Sequence, residues 1–312
     1  MTGSAGRSGV AGALALSAGF IWASYYFFVY AATPAAGPGA LIAEPFLFAG
    51  VAYCGYAVLQ GHGDALRKLL TDGQAYLRVG LLLAMQLSVL AVTYLAGAVD
   101  AALLSLVGDV VFTPLFLMLI YREGRAKLSS VVFLAGLLLS TAGASLTIVG
   151  SGQSHPLSLA AWLVAPVMPV AIGLYFLLMA KASRSTPVSA VVGHATIVAG
   201  IVTVPVAFLL PGGLSGLLLP LYPTLLLVVA LGLSSFFLAP ALYFSAIERA
   251  GLILPALLMA SIPVFTLALS AVLLGIVPPP IGLLGIPIAV VGAVLSLRGE
   301  HEPWKREYTA PP

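Results

Sequence analysis

The sequence predicts an all-α integral membrane protein whose ten transmembrane helices form two inverted five-helix repeats. Three observations favour this fold class: the residues are 61% hydrophobic and only 7% charged, the chain contains ten long apolar stretches, and short motifs recur about 150 residues apart. Soluble domains carry roughly 25% charged residues. Most of the surface of this chain must therefore face lipid.

Each apolar stretch can cross a hydrocarbon core of roughly 30 Å, which requires about 20 residues of helix. A membrane barrel would show segments of about ten residues with strict in-out alternation, whereas these runs are continuous. Between charged or Pro- and Gly-rich breaks, the ten predicted helices span approximately 10–30, 40–59, 79–97, 99–120, 130–150, 158–180, 187–210, 221–246, 250–275 and 280–297. The first stretch is interpreted as a retained span rather than a signal peptide, because nine further spans follow it.

The basic residues test this helix count. Ten spans place both termini and alternate loops on one side of the membrane, and all 13 Lys and Arg residues fall on that side. The opposite loops contain none; they lie near Gly37, Ala98, Gly152, Gly213 and Pro278. The positive-inside rule therefore predicts that both termini are cytoplasmic.

The two halves of the chain share motifs. Helices 4 and 9 both contain Val-Phe-Thr, at 111–113 and 264–266, and at the same offset Trp22 corresponds to Tyr175. Helices 5 and 10 carry glycines with one heptad spacing, namely Gly136, Gly143 and Gly150 in the first and Gly285, Gly292 and Gly299 in the second. We therefore expect five helices in each of 1–150 and 151–312. Because five is odd, the second half enters the membrane from the opposite side.

These motifs resemble the EamA-type transporters of the drug/metabolite transporter superfamily over about residues 10–298. The resemblance is carried by helix 4 running into Arg122 and Glu123, by the glycine-spaced helix 5, by the Pro-Val-Phe of 263–265 and by Trp22 with Ala23. It implies a secondary transporter in the bacterial cytoplasmic (inner) membrane. Such a protein exports small metabolites such as amino acids by alternating access and is not an enzyme.

The chain departs from the family pattern at three positions. Glu44 stands where the family usually has an arginine early in helix 2, Asp109 and Val110 replace a Ser-Pro pair in helix 4, and Ile276 replaces an acidic residue after helix 9. The first two departures place acids inside the membrane. Exporters of lipophilic organic cations, working by proton antiport, are therefore the alternative to amino-acid exporters.

Asp109 lies in the middle of helix 4, where a charged side chain costs about 2.5 to 3.5 kcal/mol. No Lys or Arg is predicted at comparable depth. The carboxyl group must then be protonated, hydrated by a cavity or paired with cargo. Asp109 is accordingly a candidate for substrate binding and proton coupling, and the alternative is a structural hydrogen bond to a neighbouring helix. Asp100, at the outer tip of the same helix, is predicted to cap it.

Glu44 and His194 are the other two candidates for proton coupling. Matching Pro38 with Pro187 puts them at nearly equivalent places in helices 2 and 7. In an inverted repeat such positions face each other across a central cavity, so both are also predicted to contact substrate. The alternatives are a packed neutral imidazole for His194 and an interfacial residue that reaches water for Glu44.

Aromatic and amide groups complete the predicted substrate site. Trp22 and Tyr25 share one face of helix 1 with Tyr26, and the second half adds Tyr175 and Tyr243. Aromatic faces attract ammonium groups. Gln86, central in helix 3, can donate or accept a hydrogen bond or can hold helices together.

Other classes of function are weakly indicated. Gly213 to Gly216 matches a Gly-x-Ser-Gly protease motif, with Ser215 as nucleophile, but lies in an outer loop remote from His194. Asp109 would need a second aspartate nearby for aspartyl proteolysis, and Asp100 is ~13.5 Å along the helix. Scattered histidines and the absence of a phosphate-binding motif predict neither metal nor cofactor.

The expected partners are a small-molecule substrate and membrane lipid. The net charge of +3 is too small and too dispersed for nucleic-acid binding. The glycine faces of helices 5 and 10 offer a surface for a homodimer, because small residues allow transmembrane helices to approach closely.

Overall fold

The computed structural model describes residues 3–122, 130–150, 163–209, 222–275 and 280–298. Within these ranges every regular element is helical. The α-helices are α1 (Gly3–Leu59), α2 (Gly63–Leu69), α3 (Gly73–Ala96), α4 (Ala98–Leu106), α5 (Thr113–Ile120), α6 (Val131–Gly150), α7 (Val167–Ala182), α8 (Val188–Leu209), α9 (Tyr222–Leu231), α10 (Ala239–Ala250), α11 (Ile253–Leu258), α12 (Ser261–Leu274) and α13 (Pro280–Arg298). Two π-helical segments, π1 (Val107–Phe112) and π2 (Gly232–Leu238), connect α4 to α5 and α9 to α10.

Seven helical segments among the described residues are long and apolar enough to cross a membrane. They are Gly9–Tyr30, Leu41–Leu59, Gly73–Leu95, Ala98–Ile120, Val188–Leu209, Leu225–Ala250 and Ile253–Leu273. Three shorter apolar helices, Val131–Gly143, Val167–Ala182 and Pro280–Ser296, lie where helices 5, 6 and 10 are predicted. The chain is therefore a helical integral membrane protein, and the count of ten spans stays a prediction.

The long helix α1 contains both predicted helices 1 and 2. The sequence predicted a loop near Gly37, but the backbone is helical from Gly3 to Leu59. The Trp22 Nε1 donates to the Ser235 carbonyl at 2.9 Å, and the Tyr53 hydroxyl donates to the Phe237 carbonyl at 2.6 Å. A straight helix would separate Trp22 from Tyr53 by ~46 Å. The run is therefore not straight, and its two parts lie side by side.

Helix α3 begins at Gly73, six residues before the predicted start at 79. Asp72 is its N-cap, and the Asp72 Oδ1 accepts a hydrogen bond from the Gln74 N–H at 2.9 Å. An aspartate in this position satisfies a backbone donor that the helix leaves unpaired. The prediction that Arg78 lies in a cytoplasmic loop is wrong, because α3 already begins at Gly73 and includes Arg78.

Three interruptions of regular α-helix each precede a proline. A proline ring displaces the carbonyl of the residue four positions earlier and supplies no N–H. The carbonyls displaced by Pro114, Pro240 and Pro263 belong to π1, to π2 and to the turn at 259–260, respectively. The sequence therefore accounts for the position of each interruption.

Helices α6 and α13 pack face to face along their glycines. A Cβ at Gly136 would lie 2.7 Å from the Gly292 carbonyl oxygen, and a Cβ at Gly143 would lie 2.6 Å from the Gly285 carbonyl oxygen. The Ser140 hydroxyl donates to the Ala289 carbonyl across this contact at 3.0 Å. The two glycine faces cover each other within one chain, and the homodimer stays a prediction.

The second part of α1 packs antiparallel on α8. A Cβ at Gly50 would lie 2.6 Å from the Ile197 Cα, and a Cβ at Gly200 would lie 3.0 Å from the Leu47 backbone nitrogen. Glycines at these positions let the two backbones touch. They therefore fix the register between the two helices.

The α6–α13 contact yields a stability prediction. Gly143→Ala should destabilise the protein by about 1 to 3 kcal/mol, because the added methyl group meets backbone atoms that cannot move away without separating the helices. Gly80→Ala is the matched control, since nothing lies within 4 Å of a Cβ there. Thermal unfolding in detergent measures both. Equal melting temperatures for the two variants would contradict the packing described here.

Candidate functional site

A partly open cavity lies between helices of both halves of the chain. The elements around it are α1, α3, α4, π1, α7, α8, π2, α10 and α12. Eight of its twenty lining residues are aromatic: Trp22, Tyr25, Tyr26, Phe46, Tyr175, Phe176, Phe236 and Phe244. Its polar lining residues are Gln86, Ser105, Asp109, Thr196 and Ser235. Ligand sites in proteins combine apolar walls with a few convergent polar groups in this way.

Five of the eight residues predicted from the sequence to bind substrate line this cavity. They are Trp22, Tyr25, Gln86, Asp109 and Tyr175. Tyr243 lies directly behind the wall, where its ring contacts Trp22 at 5.3 Å and Phe176 at 4.9 Å between centroids. Glu44 and His194 are not among the lining residues.

Asp109 lies in π1 and is only 3% exposed. Its Oδ1 atom has no hydrogen-bond partner among the described residues. Gly108, the residue before it, brings this part of the chain against α7, because a Cβ there would lie 2.8 Å from the Ile172 Cβ. A buried carboxyl group without a partner is costly. It requires a proton or a cationic ligand.

The aromatic wall is held by ring contacts and by one backbone hydrogen bond. Phe236 contacts Tyr25 at 5.3 Å and Phe46 at 4.6 Å, while the indole of Trp22 donates to the Ser235 carbonyl. Pro240 has no N–H to offer the carbonyl five residues earlier, and Trp22 supplies the donor instead. The π2 segment and the Trp22 ring therefore fix each other's position.

Gln86 is held at the cavity wall by Tyr25, whose hydroxyl donates to the Gln86 Oε1 at 3.4 Å. The pair joins α3 to the first part of α1 and faces the cavity. Both residues therefore serve packing and lining together, and the two interpretations given to Gln86 from the sequence do not exclude each other.

The structure does not bring Glu44 and His194 together, and their predicted placement across a common path needs correction. Gly193 packs against Tyr53, a Cβ there lying 3.2 Å from the Tyr53 Cβ. His194 is thus level with the segment near Tyr53, nine residues from Glu44, or ~13 Å along the helix axis. The His194 ring contacts Tyr76 at 5.7 Å. The Oε2 of Glu44 has no partner among the described residues.

Arg78 and Asp100 are two charged residues whose burial the sequence did not predict. Arg78 is buried, and its charge acts on the side chains of Tyr175 and His194. Asp100 was predicted to cap helix 4, but Gly97 is the N-cap of α4 and has no side-chain cap. Asp100 is buried, and its Oδ1 has no partner among the described residues. The N-cap at Asp72 was the signal that could have placed Arg78 in a helix.

Helices 4 and 9 are interrupted at equivalent positions. The π1 segment covers 107–112, and a turn at 259–260 separates α11 from α12. At the offset of 153 that relates the two Val-Phe-Thr motifs, Asp109 corresponds to Ile262. Both residues line the cavity. Interrupted helices in corresponding positions of two halves are typical of transporter binding sites.

The protease interpretations gain no support from the described residues. Asp100 and Asp109 lie on one helix, nine residues or ~13.5 Å apart, too far to share a proton. The Gly-x-Ser-Gly motif with Ser215 lies outside the described residues. Among the described residues, no group of three or more His, Cys, Asp or Glu side chains could hold a metal ion.

Comparison with known proteins supports the predicted family. Residues 159–298 match the sequence model of the EamA-like transporter family. The fold is also found in solved structures: one crystal structure superposes with a TM-score of 0.72 at 20% sequence identity, covering 92% of this chain and 96% of that chain. At this identity the likeness shows the fold alone. No curated protein matches the sequence.

The cavity should tolerate no added bulk if it is the substrate path. Val192→Phe, on the cavity side of α8, should reduce transport at least tenfold because the ring fills the space between the aromatic walls. Ile201→Phe on the same helix is the control, because Ile201 is 60% exposed on the outer surface. Initial rates in proteoliposomes measure both. Equal rates would show that the path lies elsewhere.

Proposed function

We propose that this chain, whose residues 159–298 match the EamA-like transporter family, is a secondary transporter of the drug/metabolite transporter superfamily. It exports small metabolites bearing an ammonium group. Amino acids are the first candidates. Export proceeds by alternating access across the bacterial cytoplasmic membrane. The observation that carries the proposal is a membrane-embedded cavity with aromatic walls and a buried, unpartnered carboxyl group, that of Asp109.

The chemistry of the cavity favours an ammonium group as the feature recognised. None of the described lining residues is Lys, Arg or His, so Asp109 is the charged group of the lining. A carboxylate in surroundings of low dielectric attracts a cation strongly. Faces of Trp and Tyr rings add attraction of about 0.5 to 2 kcal/mol to a desolvated cation. Substrate would thus compensate the charge that the protein leaves uncompensated.

Lipophilic organic cations are the second candidate class, exchanged for protons. The same observation favours them, because a carboxylate of the substrate would find no basic side chain among the described lining residues. Protonation of Asp109 in the absence of cargo would couple the two fluxes. Comparing an amino acid with the amine that lacks its carboxylate distinguishes the two classes.

We further propose ten spans in two inverted repeats, residues 1–150 and 151–312. The glycine pairing supports this arrangement, because Gly136 meets Gly292 and Gly143 meets Gly285. At the offset of 149 Gly136 corresponds to Gly285 and Gly143 to Gly292. Each glycine therefore meets the counterpart of the other, as two-fold related elements do.

The connections between helices support the same relation. Gly97 joins α3 to α4 at φ 106°, and Gly251 follows α10, before α11, at φ 77°. Both glycines adopt a conformation that other residues rarely take. They are 154 residues apart (251 minus 97), close to the offset of the motifs. Rocking of one half against the other would then expose the cavity to each side in turn.

Asp109→Asn tests the proposed function directly. Transport of both amino acids and amines should fall at least tenfold, because the amide keeps size and hydrogen bonding but cannot carry the charge. Folding should be nearly unchanged, which thermal unfolding checks. Asp64→Asn is the control, since the Asp64 side chain is 91% exposed. Normal transport by Asp109→Asn would contradict the role of Asp109 in binding substrate and would indicate a structural role.

Cysteine labelling tests the proposed topology. On a Cys54→Ala background, Gly152→Cys and Gly213→Cys should react with a membrane-impermeant thiol reagent in intact cells. Lys127→Cys and Arg184→Cys should react only after the membrane is opened, because the positive-inside rule puts basic loops in the cytoplasm. Labelling of the second pair in intact cells would overturn the ten-span arrangement.

A further inference from the structure

Arg78 is the feature of this fold that the proposed function leaves unexplained. It is 5% exposed, and it is the only Lys or Arg that is buried among the described residues. Burial of a charge costs several kcal/mol even when the charge is paired. An apolar residue of similar volume at this position would often be neutral or stabilising. Its position therefore calls for a functional explanation.

Arg78 lies on the cavity-facing side of α3. Leu82, Met85 and Val89 of this helix line the cavity, and they follow Arg78 by four, seven and eleven residues. Residues with these spacings share one face of an α-helix. Arg78 is thus one turn, ~6 Å, beyond the lining residue Leu82. In the proposed topology this end of α3 is the cytoplasmic end, so Arg78 lies on the cytoplasmic side of Leu82. This side of the cavity is called the cytoplasmic neck.

The neighbours of Arg78 connect it to the cavity wall. Helix α3 packs on α7 and α8, with the Tyr76 ring of α3 contacting His194 at 5.7 Å. The charge of Arg78 acts on His194 and on Tyr175 of α7. Tyr175 itself lines the cavity. A substrate that enters the cavity from the cytoplasm would therefore pass close to the guanidinium before it reaches Asp109.

The partner of Arg78 can be exchanged. The Arg78 Nη2 lies 3.1 Å from the Asp72 Oδ2, and the Asp72 side chain is 40% exposed. The Asp72 carboxylate stays partly in water when it leaves the guanidinium, whereas the buried guanidinium always needs a partner. The guanidinium has five donors in a planar fork that matches a carboxylate. A carboxylate arriving from the cytoplasm can replace Asp72 at small cost.

We propose that Arg78 selects the carboxylate of the substrate at the cytoplasmic neck, exchanging Asp72 for it. The proposal rests on the proposed function and deepens it: the preferred substrates are zwitterionic amino acids, whose carboxylate Arg78 recognises and whose ammonium group Asp109 binds. Simple amines satisfy Asp109 alone. They meet a repulsive positive charge at the neck.

Two substitutions that break the same ion pair have opposite expected results. Arg78→Gln removes the guanidinium that would bind the substrate carboxylate and repel amines, so preference for the amino acid should fall. Asp72→Asn releases Arg78 from its competitor, so preference for the amino acid should rise. Asparagine remains a good N-cap, so α3 keeps its start. If the ion pair served stability alone, both changes would act in one direction.

The test is transport into proteoliposomes from the face that carries the termini, with phenylalanine and phenethylamine as substrates. The measured quantity is the ratio of kcat/KM for phenylalanine to that for phenethylamine. Arg78→Gln should lower this ratio at least tenfold, Arg78→Lys should lower it less because the charge remains, and Asp72→Asn should raise it severalfold. Controls are Arg67→Gln and Asp64→Asn, whose exposed side chains form a pair at 3.9 Å on α2.

Two results would overturn the proposal: an unchanged ratio in Arg78→Gln, or a shift of the ratio in the same direction in Arg78→Gln and Asp72→Asn. If Arg78→Gln does not fold, Asp72→Asn decides alone, and a ratio that does not rise overturns the proposal. Asp109→Asn separates this result from the proposed function. Loss of both substrates in Asp109→Asn with an unchanged ratio in Arg78→Gln rejects the role of Arg78 and keeps the transporter assignment.

Discussion

The lack of water inside a bilayer is the constraint on which this structure depends, because every polar group at depth needs a partner within the protein. Proline makes the constraint acute, since it removes an N–H and displaces a carbonyl. Ahead of Pro240, the indole of Trp22 and the hydroxyl of Tyr53 donate to carbonyls of π2. These two donors come from the two parts of α1. Satisfying the backbone therefore also holds both parts of α1 against the second half of the chain.

The same constraint makes Asp109 informative. The backbone of π1 is satisfied internally, with the Thr113 hydroxyl donating to the Gly108 carbonyl at 3.1 Å. The carboxyl group beside it keeps an unpartnered oxygen. The fold provides donors for the displaced carbonyls but none for this carboxyl oxygen. A mobile species must therefore compensate the carboxylate when it is charged. Protons and cationic ligands are the mobile species of suitable charge. The helix interruption thus supplies a place to bend and, next to it, a charge that only cargo or a proton can balance.

Hydropathy and depth were enough to predict the apolar helices and the residues that project from their centres, such as Trp22, Gln86 and Asp109. Lateral register could not be predicted in the same way. The alignment of Pro38 with Pro187 set Glu44 near His194, but contacts at Gly50 and Gly200 decide how α1 slides along α8, and they put the two groups at different levels. Glycine contacts depend on the shape of the partner helix, which one sequence does not reveal. For the same reason the sequence did not reveal that the glycine faces of α6 and α13 pack on each other within the chain.

Charge was the other source of error, and it bears on substrate choice. A sequence with a few basic residues, all near predicted loops, suggests that each of them is solvated, and Arg78 was interpreted accordingly. With its cap at Asp72, α3 begins before Arg78. Arg78 therefore lies within the helix, about one turn from the cavity, and the helices around it bury it. With Asp109 alone, the path would distinguish cations from neutral molecules. A guanidinium at one end adds discrimination by the opposite sign of charge, so the two groups together favour a molecule that carries both.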